Sequence, residues 1–138
     1  MVILDRPYVN IVADDATRTI TLRWTDYSPS KEYREALDLA CTAVKERGVR
    51  LWLADLRRMG AILQDDEKWT VSDWFPRMAK AGLKRMAILT STDYFNQMSV
   101  DRIMEDSAPV IGFDVAYFDD EHQARKWLLD KAEVLDPA

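Results

Sequence analysis

The chain has 138 residues, 48% of them apolar, and a net charge of −5 at pH 7. That length suits one domain over 1–138, and the apolar share suffices for a packed core, which excludes a disordered tail as its main character. Basic residues interleaved with an excess of acids exclude a nonspecific nucleic-acid binder, because phosphate attraction needs a basic face.

The first residues carry no cationic segment leading into a long apolar run, so no signal peptide is expected, and no stretch approaches the roughly 20 apolar residues of a membrane span. Residues 8–13 read as a short strand. Asp14-Asp15-Ala16-Thr17 reads as a turn, since short aspartates satisfy turn amides locally. Residues 18–24 then alternate, with Ile20, Leu22 and Trp24 on one side and Thr19, Thr21 and Arg23 on a wet side. The two strands form an antiparallel hairpin.

Ser28-Pro29 marks a helix start, with Ser28 as N-cap and Pro29 at the first helical position. Tyr33, Ala36, Leu37, Ala40, Cys41 and Val44 give its apolar stripe, and Gly48 ends it. Cys41 is the one cysteine and lies on that stripe, so it reads as a small buried hydrophobe and not a reactive thiol. A lone cysteine forms no internal disulfide, and a cytoplasmic protein is expected.

Residues 49–56 are apolar on both faces, Leu51 and Leu53 on one and Trp52, Ala54 and Leu56 on the other. This predicts a central strand covered on both sides. Residues 84–90 and 114–118 read the same way, and intervening helices make the crossovers of a parallel sheet. The helix over 65–81 carries Val71, Trp74, Phe75, Met78 and Ala79, with Pro76 kinking or splitting it. A region over 92–107 is predicted to break at Ser99, read as a second N-cap. The last helix runs from 119 to about Lys131. The expected fold is α/β: a mixed sheet of five strands with helices packed on it, in the order ββαβαβαβα.

The only histidine, His122, sits in a polar helix start, where no nucleophile accompanies it. One histidine and one cysteine exclude the common zinc sites. Asp55, Asp65, Asp66, Asp93, Asp119 and Asp120 all follow strands and could gather at the carboxyl edge of the sheet, where magnesium or a phosphate could bind. Most of them are better explained as helix caps. Asp55 with Arg57 and Arg58 forms the polar edge candidate, with a salt bridge as its simplest role. No glycine-rich phosphate loop is present, and no catalytic residue, metal or cofactor is expected.

The aromatics and methionines suggest a different site. Trp69, Trp74, Phe75 and Met78 crowd the kinked helix, and Phe95 and Met98 the next one. Unevenly packed helices rich in methionine leave room for an apolar small molecule. Trp69 lies off the apolar stripe and is expected on a second surface, as a homodimer contact or a ligand entrance.

The segments Leu51-Trp52-Leu53-Ala54-Asp55-Leu56-Arg57, Leu83-Lys84-Arg85-Met86-Ala87-Ile88-Leu89 and Val115-Ala116-Tyr117-Phe118-Asp119-Asp120, with Ala124 and Trp127-Leu128 after them, resemble the SpoIIAA-like branch of the STAS domains, whose superfamily shares its fold with the lipid-binding CRAL-TRIO domains. The resemblance implies a mixed sheet with helices on it and a binding or regulatory module that is not an enzyme, acting through a protein partner or its own homodimer. The alternative is a carrier or sensor of an apolar, lipid-like ligand under the helix at 65–82. Anti-sigma-factor antagonists of this superfamily carry a phosphorylatable serine beyond the central strand. The stretch from Asp55 to Gln64 has no serine or threonine, so that switch is not carried over to any residue.

Overall fold

The computed structural model describes residues 1–130. Six strands form one sheet whose spatial order is the order of the chain. They are β1 (Val2–Arg6), β2 (Val9–Asp14), β3 (Thr19–Asp26), β4 (Leu51–Met59), β5 (Arg85–Leu89) and β6 (Asp114–Phe118). The first three pair antiparallel. From β3 onward the pairs are parallel. The expected mixed α/β sheet is present with one more strand than five. The extra strand is β1, which turns through Pro7-Tyr8 into β2 and forms a half-exposed edge.

The alternation in β4 divides the core as its sequence requires. Trp52, Ala54 and Leu56 face a large cluster built with α1 (Ser30–Arg47), α2 (Gln64–Trp69), α3 (Phe75–Met78) and α4 (Tyr94–Ser107). Leu51 and Leu53 face a smaller cluster with Ala87, Leu89 and the buried side of α5 (Glu121–Leu128). The side of β3 read as wet is covered too: Thr19 and Thr21 are buried, and Arg125 of α5 donates to Thr21 Oγ1 at 3.3 Å. By contrast β6, read as covered on both faces, is the other edge of the sheet and is only partly buried.

Several local expectations are corrected. α1 starts one residue later, with Pro29 at the N-cap, and the Ser28 hydroxyl is buried without a hydrogen-bond partner instead of capping. Gly48 does end α1 in a left-handed conformation, φ +64°, which costs glycine little. The region at 65–81 is divided as its proline requires. A π-helical turn, Thr70–Trp74, separates α2 from α3, and the Phe75 N–H reaches back to the Thr70 carbonyl. The widened turn makes room for the Pro76 ring, which lacks a donor and would crowd the carbonyl four residues earlier. α4 is unbroken: Ser99 is buried in its interior, and the cap is Asp93, which accepts from the Asn96 N–H at 2.9 Å. The last helix ends at Leu128, and its expected continuation to Lys131 lies outside the described residues.

Candidate functional site

The loops beyond β3, β4, β5 and β6 meet at the carboxyl edge of the parallel strands. Gly60, just past β4, donates to the Asp26 carbonyl at 2.9 Å. A Cβ there would stand 3.4 Å from the Asp26 backbone, an ordinary van der Waals contact, so the two segments lie close together. Asn96 of α4 donates to the Gly60 carbonyl at 2.8 Å, and Ser91 to the Met59 carbonyl at 3.2 Å. The start of α4 is thus tied to the end of β4.

The polar edge is a closed network. Asp55, 7% exposed, accepts from Arg23 at 2.9 Å, from Arg57 Nε and Nη2 at 2.9 Å each, and from the Arg57 N–H at 3.2 Å. The last bond closes around an irregularity in the β3–β4 register after Arg23, where Leu56 and Arg57 stand opposite Trp24. Glu121 of α5 accepts from both terminal nitrogens of Arg23, at 2.8 and 2.9 Å, and also from Arg57 and Arg125. Burial alone would raise the Asp55 carboxyl, but the hydrogen bonds from Arg57 and Arg23 outweigh it and hold it below its ordinary value. Hydrogen bonds from Arg23, opposed by burial and aided by Arg125, bring Glu121 down to about 2. Carboxylates held ionised by guanidiniums are poor general bases. Arg58, the third residue of the candidate, is exposed and makes no ion pair among the described residues. Sequence reading found the Asp55–Arg57 pair and missed Arg23 and Glu121.

The other aspartates do not converge. Asp93 and Asp120 cap α4 and α5. Asp66 is buried and accepts from Ser30 at 2.5 Å and Arg34 at 2.8 Å. Among the described residues no group of three or more His, Cys, Asp or Glu could hold a metal. His122 is exposed in the first turn of α5.

The six apolar candidates fall in three places. Trp74 and Phe75 are buried and help line a cavity of about 80 Å³ between the sheet, the π-helical turn and α4. Met78 is fully buried beside them in the core. Trp69 is half-buried, not left on a second surface: the Arg34 and Arg77 guanidiniums lie over its ring at 5.2 and 5.8 Å, and Tyr33 meets it edge-on at 6.3 Å. Phe95 and Met98 lie outside the cavity, on the surface of α4.

That surface has the largest exposed rings of the described chain. Tyr94 and Phe95 are 70% and 69% exposed, with their rings 5.8 Å apart and edge to face. Met98 follows one turn later. Tyr117, on the edge strand β6, is also exposed, with Asp101 of α4 close enough to add to the burial that raises its phenol. The residues between are acidic or neutral: Asp93 caps the helix and Gln97 donates to Asp101 at 2.9 Å.

The sequence profile of the family described as SpoIIAA-like matches residues 19–129, most of the chain. No curated protein matches the sequence. Among solved structures, an uncharacterized protein of the DUF3478 family with a SpoIIAA-like fold, from Shewanella loihica PV-4, aligns with a TM-score of 0.62. The alignment covers 91% of this chain and 97% of that one at 14% identity, a likeness of fold. Among the described residues no helix is long and apolar enough to cross a membrane.

Proposed function

The chain belongs to the SpoIIAA-like family, and from that premise we propose that it is a non-catalytic binding or regulatory module that acts by contact with another protein, through the start of α4 and the neighbouring edge of β6. The observation that carries this reading is the exposure of Tyr94 and Phe95, while the carboxylates of the polar edge are already paired. Exposed aromatics on a rigid helix are the side chains that dominate protein contacts. The partner's chemistry follows from the rim. Asp93 and Asp101 flank the rings, so the complement is an apolar face bordered by lysine or arginine. A twofold homodimer on this face would bring two acidic rims together, which makes a second copy the less favoured occupant.

The carrier reading is weighed by volume. A cavity of about 80 Å³ is well below the roughly 300 Å³ at which small-molecule pockets begin, so it supports a lipid-like ligand poorly. Site-specific photocrosslinking from position 95 tests the contact.

A further inference from the structure

We infer that the opposite end of the sheet, where the parallel strands begin, holds a binding site for a small, multiply charged oxyanion of the phosphate-ester class. A cleft of about 320 Å³ opens there, lined by five cationic residues, Arg18, Lys45, Arg47, Arg50 and Lys84, and by no carboxylate. Arg47 is paired with Asp15 at 3.1 Å. The other four make no ion pair among the described residues.

Folding accounts for only part of this cluster. Lys45 and Arg47 stand in the last turn of α1 and offset the negative end of its dipole. Arg18, Arg50 and Lys84 come from three separate connections, and backbone bonds hold them in adjacent rows. Arg50 N–H donates to the Arg18 carbonyl at 2.9 Å, and Lys84 N–H donates to the Arg50 carbonyl at 2.7 Å. Asp114 continues the row, its N–H on the Lys84 carbonyl at 3.1 Å, but it does not line the cleft. Arg18 has φ +55°, a left-handed conformation that glycine or asparagine adopts with less strain. An arginine kept in that conformation, sharing a cleft with Lys45, Arg50 and Lys84, unpaired among the described residues, on a chain of net charge −5, is part of a local excess of positive charge that the fold does not neutralise.

The chemistry of the occupant follows. Several like charges around one cleft favour an anion with more than one negative charge, and guanidinium forks match the oxygens of a phosphate. The volume lies at the lower end of the range for small-molecule sites, roughly 300 to 1,000 Å³, which suits a phosphate group with a small body. This site lies at the end of the strands away from Tyr94 and Phe95, so it stands independently of the protein contact.

The test is titration of the whole chain with pyrophosphate and with inorganic phosphate, at ionic strength matched with sodium chloride, followed by calorimetry and by backbone amide NMR shifts. Saturable binding is expected, tighter for pyrophosphate, with shifts centred on Arg18, Gly48, Arg50 and Lys84. Arg50→Gln and Lys84→Gln should each weaken it about tenfold, the loss of one charge-assisted hydrogen bond, with the melting temperature unchanged. Arg6→Gln, on the exposed edge β1, should leave it as it was. Shifts that never saturate, shifts that chloride alone reproduces, shifts centred instead on Arg23 and Arg57, or wild-type affinity in the two cleft variants would overturn the inference. The amide map of the wild type decides the matter even if a variant fails to fold.

Discussion

Arg23 and Glu121, 98 residues apart in the chain, form a two-pronged ion pair at 2.8 and 2.9 Å that clasps the start of α5 onto β3. The pair is half-exposed, yet it is joined at both ends, to Asp55 through Arg23 and to Arg125 through Glu121. A network of this kind holds its members with less entropy loss per bond than an isolated surface pair.

The first prediction is an acid-dependent loss of stability. Glu121 has its folded pKa depressed from the ordinary 4.5 to about 2 by Arg23 against burial, with Arg125 adding to it. A depressed carboxyl stabilises the fold fully above its unfolded value and loses that contribution as pH falls through the folded one. Asp55 shifts in the same direction. The melting temperature should therefore fall between about pH 4.5 and pH 2, and Glu121→Gln should flatten that slope. Equal slopes in the two proteins, followed by circular dichroism, would count against the pairing.

Asp55→Asn removes a carboxylate that accepts from Arg23 and from the side chain and backbone of Arg57. Loss of charged hydrogen bonds at a buried group costs on the order of 1–3 kcal/mol. The urea midpoint should move by a corresponding amount with an unchanged slope. An unmoved midpoint would show that the network contributes nothing to the fold.

The two tryptophans of the π-helical region should respond differently. Trp74 is buried, donates to the Leu37 carbonyl at 2.9 Å, and meets Trp52 and Phe75 edge to face. Trp74→Ala should cost roughly 3–5 kcal/mol. Trp69 packs half-buried under two guanidiniums, and Trp69→Ala should cost about 1–2 kcal/mol, the scale of partly exposed cation–π contacts plus some packing. Denaturant unfolding of both variants checks the order, and a larger loss at Trp69 would reverse it.

Phosphorylation should not switch the contact through the loop after β4. From Asp55 to Gln64 there is no hydroxyl side chain. Thr70, the next one, is buried, with its hydroxyl on the Asp66 carbonyl at 2.7 Å and beside the Tyr33 hydroxyl at 2.7 Å. Ser72 is exposed but stands in the π-helical turn, where no free helix-start amides receive a phosphate. Ser72→Asp should leave crosslinking from position 95 unchanged; its loss in that variant would restore a switch.

Residues with strong periodicity were the legible part of the sequence. The two-sided alternation of 51–56 gave the central strand and both core faces, and Gly48 and Pro76 gave a helix end and a disrupted helix. β1 was missed because its five residues are largely exposed and stop just before Pro7, leaving no clear alternation. Ser99 misled because a serine inside an amphipathic run looks the same as a cap until the run is seen to continue, and Asp93 is the residue that caps. The Arg23–Glu121 clasp and the cationic cleft join residues from distant connections, and only the order of the strands brings them together.

The contact surface is tested most directly by placing a photoreactive phenylalanine analogue at position 95, with a second at position 6 for comparison, and irradiating cells of the native host. Position 95 is expected to yield one discrete adduct with a different protein, identified by mass spectrometry, and the yield should drop several-fold in Tyr94→Asp and in Asp101→Lys. No adduct beyond that from position 6, or an adduct indifferent to both substitutions, would contradict a protein contact at the start of α4.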